Sequence, residues 1–265
     1  MMPEPGSPRS QPLRLLQFTD LHLAPGPDGT VRGVATQRSF HRCLEHARHH
    51  DYPVDALLLT GDLVQDDARA YPALAGMLSG EGVPVHCLPG NHDVTGEMGH
   101  ALGARPFDLS PVARYGPWTL LLLDSATPGV HEGTLSREAL EFLNDALARF
   151  SDTHALVVLH HQPVPIGSSW LDAIGLKDGA ALMALLGRHD HVRGLLWGHI
   201  HQAFESVQDG IVMMGTPSTC FQFVPGDDFA VDTRPPGYRR LQLHPDGRIE
   251  STVVWVPPDP GPCAG

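Results

Sequence analysis

Five short apolar runs in this sequence are each followed almost at once by aspartate, histidine or asparagine. The runs cover residues 13–18, 56–59, 83–88, 155–159 and 192–197. Their length and composition are typical of β-strands in a mostly parallel sheet. The carboxyl ends of parallel strands meet at one edge of a sheet, so the polar residues are expected to converge there. Gly61, Gly90 and Gly198 stand where the chain must turn sharply and bring its backbone close to that edge.

The polar residues that follow these runs have the chemistry of a metal centre. Side chains two residues apart on an extended segment point the same way, so Asp20 and His22 can reach one site, as can His199 and His201. Mixed imidazole and carboxylate ligation suits Zn, Mn or Fe. The candidate ligands are Asp20, His22, Asp62, Asn91, His160, His199 and His201. This set exceeds what one ion with open positions uses, whereas two divalent ions per chain that share Asp62 would use every member.

Longer segments with apolar residues at helical spacing separate the runs. They predict helices over 34–50, after the N-cap Ser136 and after the N-cap Asp178, and a sixth strand-like run covers 119–123. Beyond residue 200 the pattern changes to hairpins, with turn signals at Asp209-Gly210 and at 245–247. The sequence therefore predicts an α/β (α+β) fold in which mixed sheet structure is covered by helices.

The domain organisation is expected to be simple. We predict a disordered arm over 1–12, one domain over 13–256 and an irregular tail over 257–265, which is rich in proline. Exposed strands in the antiparallel part would allow a homodimer.

Charge and composition exclude several classes of protein. Lys+Arg number 18 against 30 Asp+Glu, a net charge of -12, and no basic stripe is present to bind polymeric nucleic acid. No apolar run approaches the roughly 18 residues that a membrane span needs, so no membrane partner is expected. The four cysteines show no Cys-x-x-Cys spacing and no secretory leader is evident, which favours a cytoplasmic protein with reduced thiols.

The order of the polar motifs resembles that of the calcineurin-like metallophosphoesterase superfamily. The motifs are Asp-x-His at 20–22, Gly-Asp at 61–62, Gly-Asn-His-Asp at 90–93, His at 160 and Gly-His-x-His at 198–201. Gly-Asp and Asp-x-His are weak signals singly, whereas the two longer motifs are specific. The resemblance runs from about residue 13 to about residue 256. Its spacing is similar to that of the class III cyclic nucleotide phosphodiesterases, and the stretches 160–172 and 216–223 are similar to bacterial members of that class.

This resemblance implies a four-layer αββα sandwich of two mixed β-sheets flanked by helices, the metallophosphoesterase fold. It implies that one ion is held by Asp20, His22, Asp62 and His201, and the other by Asp62, Asn91, His160 and His199. His161 is then a residue behind the ligands or on the substrate side. Many members read His-His-Pro-Pro here, and this chain departs from that pattern at Gln162.

The implied activity is hydrolysis of 3′,5′-cyclic AMP to 5′-AMP by attack of a metal-bridging hydroxide, with His92 as the general acid. Trp170 and Phe221 are candidate stacking platforms for the base, and Arg234 and Tyr238 are candidates to close the site. The full set of candidate substrate contacts is His22, Asp62, Asn91, His92, His161, Trp170, Phe221 and His201.

Other functions stay open at this stage. The same site could act on 2′,3′-cyclic nucleotides, glycerophosphodiesters or nucleotide-sugar pyrophosphates, or the chain could be a scaffold that kept the fold without catalysis. The presence of every ligand and of His92 favours an enzyme. Asp93 is expected either to orient His92 or to cap a turn. Asp66 is interpreted as a solvated residue at a helix start, and Cys220 as a buried, inert thiol.

Overall fold

Alternating apolar strands and amphipathic helices make up residues 11–257, the part of the chain that this computed structural model describes. The strands are β1 (Leu13–Phe18), β2 (Thr30–Val31), β3 (Val34–Ala35), β4 (Ala56–Thr60), β5 (Val85–Leu88), β6 (Phe107–Asp108), β7 (Val112–Tyr115), β8 (Trp118–Leu122), β9 (His154–Val158), β10 (Val192–Trp197), β11 (Phe204–Gln208), β12 (Ile211–Gly215), β13 (Gln222–Phe223), β14 (Val231–Asp232), β15 (Gly237–Leu243) and β16 (Ile249–Trp255). The helices are α1 (Thr36–His50), α2 (Tyr71–Leu78), α3 (Thr95–Ala101), α4 (Arg137–Arg149), α5 (Ser169–Ala173) and α6 (Gly179–Leu186), and a 3-10 turn at Ala68–Ala70 precedes α2. Residues 1–10 of the expected arm and 258–265 of the expected tail lie outside the described residues.

The strands form two large mixed sheets. The first has the order β16-β15-β1-β4-β5-β6, and the second has the order β11-β12-β10-β9-β8-β7. The strands β1, β4, β5 and β6 are mutually parallel, β15 pairs antiparallel with β1, and β16 pairs antiparallel with β15 at the edge of the sheet. In the second sheet β8, β9, β10 and β12 are parallel, and β7 and β11 are antiparallel edge strands. The mixed α/β fold predicted from the sequence is confirmed.

The two sheets face each other across a shared apolar layer, because successive side chains on a strand point to opposite faces. On β4, Leu58 packs into this inner layer, whereas Leu57 and Leu59 face the outer side. On β9, Leu156 packs inward and Val157 packs outward. Helices α1, α2 and α3 cover the outer face of the first sheet, and α4, α5 and α6 cover that of the second. This arrangement is the four-layer αββα sandwich implied by the resemblance.

Of the two N-caps predicted from the sequence, the structure has one. Ser136 caps α4, since its hydroxyl oxygen accepts a hydrogen bond from the Ala139 amide at 3.1 Å. Asp178 precedes α6, but its carboxylate accepts a bond from the Leu135 amide at 3.0 Å and does not cap the helix. The expected capping role of Asp178 is therefore wrong, because a loop amide from a different segment takes its side chain. No helix among residues 11–257 has the length and apolarity that a membrane crossing requires.

Both predicted hairpin turns of the last quarter are present. Asp209 and Gly210 have positive φ angles of 52° and 81° and connect β11 to β12, and Gly247 lies in the turn between β15 and β16. The hairpin β11–β12 belongs to the second sheet and the hairpin β15–β16 belongs to the first. The sequence pattern did not predict that the two hairpins lie in different sheets.

Candidate metal centre

Five strand ends from the two sheets bring the candidate ligands together. Asp20 and His22 follow β1, Asp62 follows β4 and Asn91 follows β5, all in the first sheet. His160, which follows β9, and the pair His199 and His201, which follow β10, come from the second sheet. The expectation of a single sheet edge is therefore corrected: the residues converge where the carboxyl ends of both sheets meet. All of these residues are buried except Asn91, which is half-buried.

The distances between ligand atoms are those of a compact cluster. Asp62 Oδ2 lies 3.4 Å from His160 Nε2 and 3.7 Å from His22 Nε2. His201 Nε2 lies 3.2 Å from Asp20 Oδ1 and 3.0 Å from His22 Nε2. Asp62 therefore occupies the middle of the cluster, with potential ligand atoms on both sides of its carboxylate.

Hydrogen bonds to the far ring nitrogens aim the imidazoles at the cluster. The Nδ1 atoms of His22, His160 and His201 donate to Gln65 Oε1 at 2.8 Å, to the Thr60 carbonyl at 2.8 Å and to the Phe221 carbonyl at 2.6 Å. These bonds fix the tautomer that leaves a lone pair on each Nε2 atom. The Nε2 lone pairs of His22 and His201 face each other at 3.0 Å, an arrangement that a cation or a proton between them would stabilise.

The donor set fits divalent metal ions. Asn91 Oδ1, His160 Nε2 and His199 Nε2 are buried, and none of them has a hydrogen-bond partner among the residues that the structure describes. Buried polar atoms are almost always satisfied, so three unsatisfied ligand atoms around one carboxylate call for an ion. Close sets of potential ligand atoms include Asp20, His22 and His201 on one side and Asp20, Asp62 and His160 on the other.

Burial keeps two of the four ligand imidazoles, those of His22 and His199, in the neutral form that binds metal. Burial lowers the pKa of His22 to about 4 and holds the pKa of His199 well below its ordinary value, so both are neutral at neutral pH. Burial opposes the charging of Asp62 and His160, yet their mutual attraction lowers the pKa of Asp62 and raises that of His160 to about 9. A metal ion at Asp62 would take the place of the proton on His160.

The backbone around the cluster is strained and tightly packed. Asp20, His22, Asp62, His199 and His201 all have positive φ angles, between 47° and 65°. Such angles are uncommon outside glycine and concentrate at functional sites. A Cβ atom on Gly90 would lie 2.8 Å from His160 Nε2, and one on Gly198 would lie 2.6 Å from Asp20 Oδ2. The chain therefore needs glycine at both places for its backbone to approach the ligands.

His92 lies at the side of the cluster, with its ring partly open to solvent. Its amide donates to Asp62 Oδ1 at 2.8 Å, and its Nδ1 lies 3.0 Å from Asp66 Oδ1 and 2.9 Å from Gln65 Nε2. The interpretation of Asp66 as a merely solvated residue is wrong, because the loop after β4 folds back and brings its carboxylate onto the imidazole. The sequence shows a carboxylate four residues after Asp62 of the Gly-Asp motif. Its spacing alone could not predict that this carboxylate contacts His92.

Asp93 organises the backbone and does not orient His92. Its carboxylate accepts hydrogen bonds from the Leu63 amide at 3.1 Å, from the Gly90 amide at 2.9 Å and from the Tyr71 hydroxyl at 2.9 Å. Burial, together with the nearby Asp62 charge, raises the pKa of Asp93 to about 6. Of the two roles expected for Asp93, its contacts with backbone amides agree with the capping of a turn.

A cavity of about 560 Å³ opens beside the ligands, and both predicted platforms, Trp170 and Phe221, line it. Phe221 stacks on His22 with ring centroids 5.4 Å apart, so it also supports a ligand. Sequence reasoning missed Arg32, Phe223 and Phe229, which lie in two short hairpins without hydrophobic periodicity. The described residues that line the cavity are His22, Thr30, Val31, Arg32, Asp62, Gln65, Asn91, His92, His131, Trp170, Leu171, Ile174, His199, His201, Phe221, Phe223 and Phe229.

Three residues that were expected on the substrate side, His161, Arg234 and Tyr238, do not line this cavity. Both ring nitrogens of His161 are bonded within the protein, Nδ1 to the Ser125 hydroxyl at 2.9 Å and Nε2 to the His131 carbonyl at 3.1 Å. His161 therefore packs behind His160 and His199 rather than facing a substrate.

The expected closure of the site by Tyr238 and Arg234 is wrong. Tyr238 is buried against Phe18 in the outer core of the first sheet, and Arg234 pairs with Asp232 over the ring of Trp255. Cys220 is buried, and burial raises the pKa of its thiol, as expected for an inert cysteine.

Known proteins are similar to this chain in sequence and in fold. Its sequence is 40% identical over 246 residues to the 3′,5′-cyclic adenosine monophosphate phosphodiesterase CpdA of Escherichia coli (strain K12), covering 91% of this chain and 89% of that protein. The protein of the same name from Haemophilus influenzae is 38% identical over 247 residues, covering 92% and 90%. The crystal structure of a dimetal phosphatase from Danio rerio superposes with a TM-score of 0.63 at 16% identity, covering 93% of this chain and all of that one, which shows the fold.

The family assignment rests on most of the chain. The calcineurin-like phosphoesterase family model matches residues 13–203, a range that contains every candidate ligand. Together with the identity to the two bacterial relatives, this match shows that the chain belongs to the calcineurin-like phosphoesterase family.

Proposed function

We propose that this protein is a dinuclear metal-dependent phosphodiesterase that hydrolyses 3′,5′-cyclic AMP to 5′-AMP. The observation that carries the proposal is the set of unsatisfied ligand atoms on Asn91, His160 and His199 around the central carboxylate of Asp62. The substrate is inferred from the bacterial relatives, whose names state that they are 3′,5′-cyclic adenosine monophosphate phosphodiesterases.

Two groups of residues would hold the ions. Asp20, His22 and His201 would hold one ion, Asn91, His160 and His199 would hold the other, and Asp62 would contact both. When bound, divalent cations lower the pKa of water at the site and neutralise negative charge on the phosphoryl oxygens. Identity of the metal is left open, since the donor set accepts Fe, Mn and Zn.

We assign to His92 the role of donating the proton that the reaction needs. Hydrolysis breaks the bond between phosphorus and the 3′ oxygen, adds the oxygen of water to phosphorus and leaves an alkoxide that must take up a proton. Asp66 Oδ1 can hold a proton on His92 Nδ1 at 3.0 Å, so Nε2 is left to give its proton to the 3′ oxygen.

The shape of the cavity favours a nucleotide over a glycerophosphodiester. The aromatic rings of Trp170, Phe221, Phe223 and Phe229 line the cavity beside the ligands, and Phe221 and Phe223 pack on the ligand His201. A purine base would bury apolar surface against these rings, whereas a glycerol group has no comparable surface. A non-catalytic scaffold is disfavoured because the chain has every ligand, and five of the seven line one cavity together with His92.

The proposal is tested by kinetics on metal-loaded protein. We expect kcat/KM for 3′,5′-cyclic AMP to exceed that for 2′,3′-cyclic AMP, glycerophosphocholine and a nucleotide sugar. Cyclic GMP measures whether the site distinguishes purines. If 2′,3′-cyclic AMP or glycerophosphocholine is the better substrate, the proposed substrate is wrong; if none of the compounds is hydrolysed, the scaffold alternative stands.

We further propose a cytoplasmic location and a small-molecule nucleotide partner, without polymeric nucleic acid. The net charge of -12 supports the exclusion of nucleic acid, and Cys43, Cys87 and Cys220 are free and buried, which suits a reducing compartment. A homodimer stays a prediction that sedimentation velocity would test.

A further inference from the structure

Arg32, at the rim of this cavity, has no role in the steps above. Two hairpins meet there: β2–β3, with Arg32 at its tip, and β13–β14, with Phe229 in its loop. The Arg32 guanidinium carbon lies 4.6 Å from the ring centroid of Phe229 and 5.6 Å from that of Phe221. Phe221 in turn stacks on the ligand His22, so one ring separates Arg32 from the proposed metal centre.

Arg32 is a cation without an acidic partner among residues 11–257. Arg38 pairs with Asp28 at 2.6 Å and Arg69 pairs with Asp67 at 2.6 Å, whereas Arg114 and Arg149 lie, like Arg32, over an aromatic ring, that of Phe150. Arg32 lies over aromatic rings, and its positive φ of 49° beside Gly33 holds it at the tip of a tight turn. A planar guanidinium with free N–H donors can stack on and hydrogen-bond to a planar ligand.

Phe229 is an aromatic side chain that the fold leaves in contact with solvent. It is 46% exposed, although Trp170 and Phe223 pack against it with ring centroids 5.2 Å and 5.5 Å away. An exposed aromatic group that is held by neighbours at the rim of a cavity is typical of a ligand-binding surface. Arg32 and Phe229 thus present a flat, partly apolar surface with hydrogen-bond donors.

We infer that Arg32 and Phe229 form the subsite that binds the purine base of a nucleotide whose phosphate lies at the metal centre. This inference rests on the proposed function. Phe229 contributes apolar contact, and Arg32 contributes a planar cation and N–H donors toward the acceptor atoms of the base. The pair determines specificity for nucleotides and takes no part in the bond-breaking step.

The test compares two ligands that share a phosphate and differ in the base. Binding of 5′-AMP and of ribose 5-phosphate to the Mn²⁺-loaded protein is measured by calorimetry for wild type, Arg32→Ala, Arg32→Lys and Phe229→Ala. Arg38→Ala serves as the matched control, since Arg38 is exposed and already paired with Asp28. Metal content and circular dichroism of each variant establish that it is folded and loaded.

We expect wild type to bind AMP at least about tenfold more tightly than ribose 5-phosphate, the effect of one stacked base. Arg32→Ala and Phe229→Ala should reduce this ratio to about twofold, and Arg38→Ala should not change it. Arg32→Lys should behave like Arg32→Ala, because lysine keeps the charge but lacks the plane. An unchanged ratio in Arg32→Ala or Phe229→Ala, a full ratio in Arg32→Lys, or equal losses for both ligands would overturn the inference.

Turnover of cyclic AMP by the same preparations separates the inference from the proposed function. A wild-type protein that does not hydrolyse cyclic AMP, while its AMP preference is lost in Arg32→Ala, would overturn the substrate and support the base subsite. Normal turnover with an unchanged ratio in Arg32→Ala would overturn the base subsite and leave the proposed function intact.

Discussion

At the scale of single residues, Gln65 connects two side chains with different roles. Its Oε1 accepts a hydrogen bond from the candidate ligand His22 at 2.8 Å, and its Nε2 donates at 2.6 Å to Asp66, the carboxylate that faces the candidate acid His92. One amide therefore holds both the His22 ring and the acidic partner of His92. A glutamine in a loop carries no sequence signal of this kind, because its importance comes from contacts made by the folded loop after β4.

We expect His92→Ala to lower kcat for cyclic AMP by about 10² to 10⁴, the usual loss of a general acid. The loss should be much smaller with bis(p-nitrophenyl) phosphate, because p-nitrophenolate leaves without a proton. Metal content by inductively coupled plasma mass spectrometry should not change, since the His92 ring is outside the ligand set. His100→Ala, on the exposed side of α3, is the control. Equal losses on both substrates would contradict the role of a general acid.

At the scale of helices and strands, the sequence predicts where the strands lie in the chain, but not which sheet each hairpin joins. The run 192–197 matches β10, and the run 83–88 overlaps β5, which begins later at Val85 because Val83 and Pro84 enter from the preceding loop. Apolar runs are visible since both faces of each strand are buried. The assignment of β11–β12 and β15–β16 to different sheets is invisible in the pattern, because it depends on tertiary packing.

The candidate site was predictable to the extent that its residues follow strands. Asp20 and Asp62 follow the parallel neighbours β1 and β4, so parallel topology alone predicts that they converge. His160 follows β9 of the second sheet, and its approach to them depends on how the two sheets pack. Arg32 and Phe229 lie in short hairpins, and their meeting depends on how two loops fold over the cavity.

Substitution of Gly90 by alanine tests the close approach of the β5 end to the ligands. The added Cβ would lie 2.8 Å from His160 Nε2 and would contact the Asp62 carboxylate. We expect Gly90→Ala to fold but to bind less than one metal ion per chain, with a matching loss of turnover. Metal analysis of the purified variant measures this. If the variant retains two ions and a normal rate, the close contact of the Gly90 backbone with the ligands is not needed for metal binding.

Gly76→Ala is the matched control for this substitution. Gly76 lies within α2, and a Cβ atom there would meet nothing within 4 Å. This variant should keep both ions and gain about 0.4 to 1 kcal/mol in free energy of unfolding, because alanine loses less backbone entropy.

At the scale of the whole molecule, the two sheets depend on each other. Leu15 and Leu58 of the first sheet pack with Leu156 and Leu196 of the second in one inner layer. The candidate metal centre also takes ligands from both sheets, so separation of the sheets would dismantle it. We therefore propose that 13–256 forms one domain that unfolds as a unit.

Leu156→Ala should lower the free energy of unfolding by about 2 to 5 kcal/mol, because it removes buried apolar contact and leaves a cavity between the sheets. Urea unfolding followed by circular dichroism and by tryptophan fluorescence should give a single coincident transition in wild type and variant. Val207→Ala, on the exposed edge strand β11, should change the free energy of unfolding by about 0.5 kcal/mol or less. Two separate transitions, or a shift in only one signal, would contradict a single cooperative unit.

Above all, we propose that the metal-loaded protein adds water to the phosphorus of 3′,5′-cyclic AMP and releases the 3′ oxygen. Hydrolysis in oxygen-18 water, followed by mass spectrometry and ³¹P nuclear magnetic resonance of the product, measures this directly. We predict 5′-AMP that carries one oxygen-18 atom on its phosphate. Formation of 3′-AMP, or no conversion of cyclic AMP by protein that holds two ions per chain, would contradict the claim.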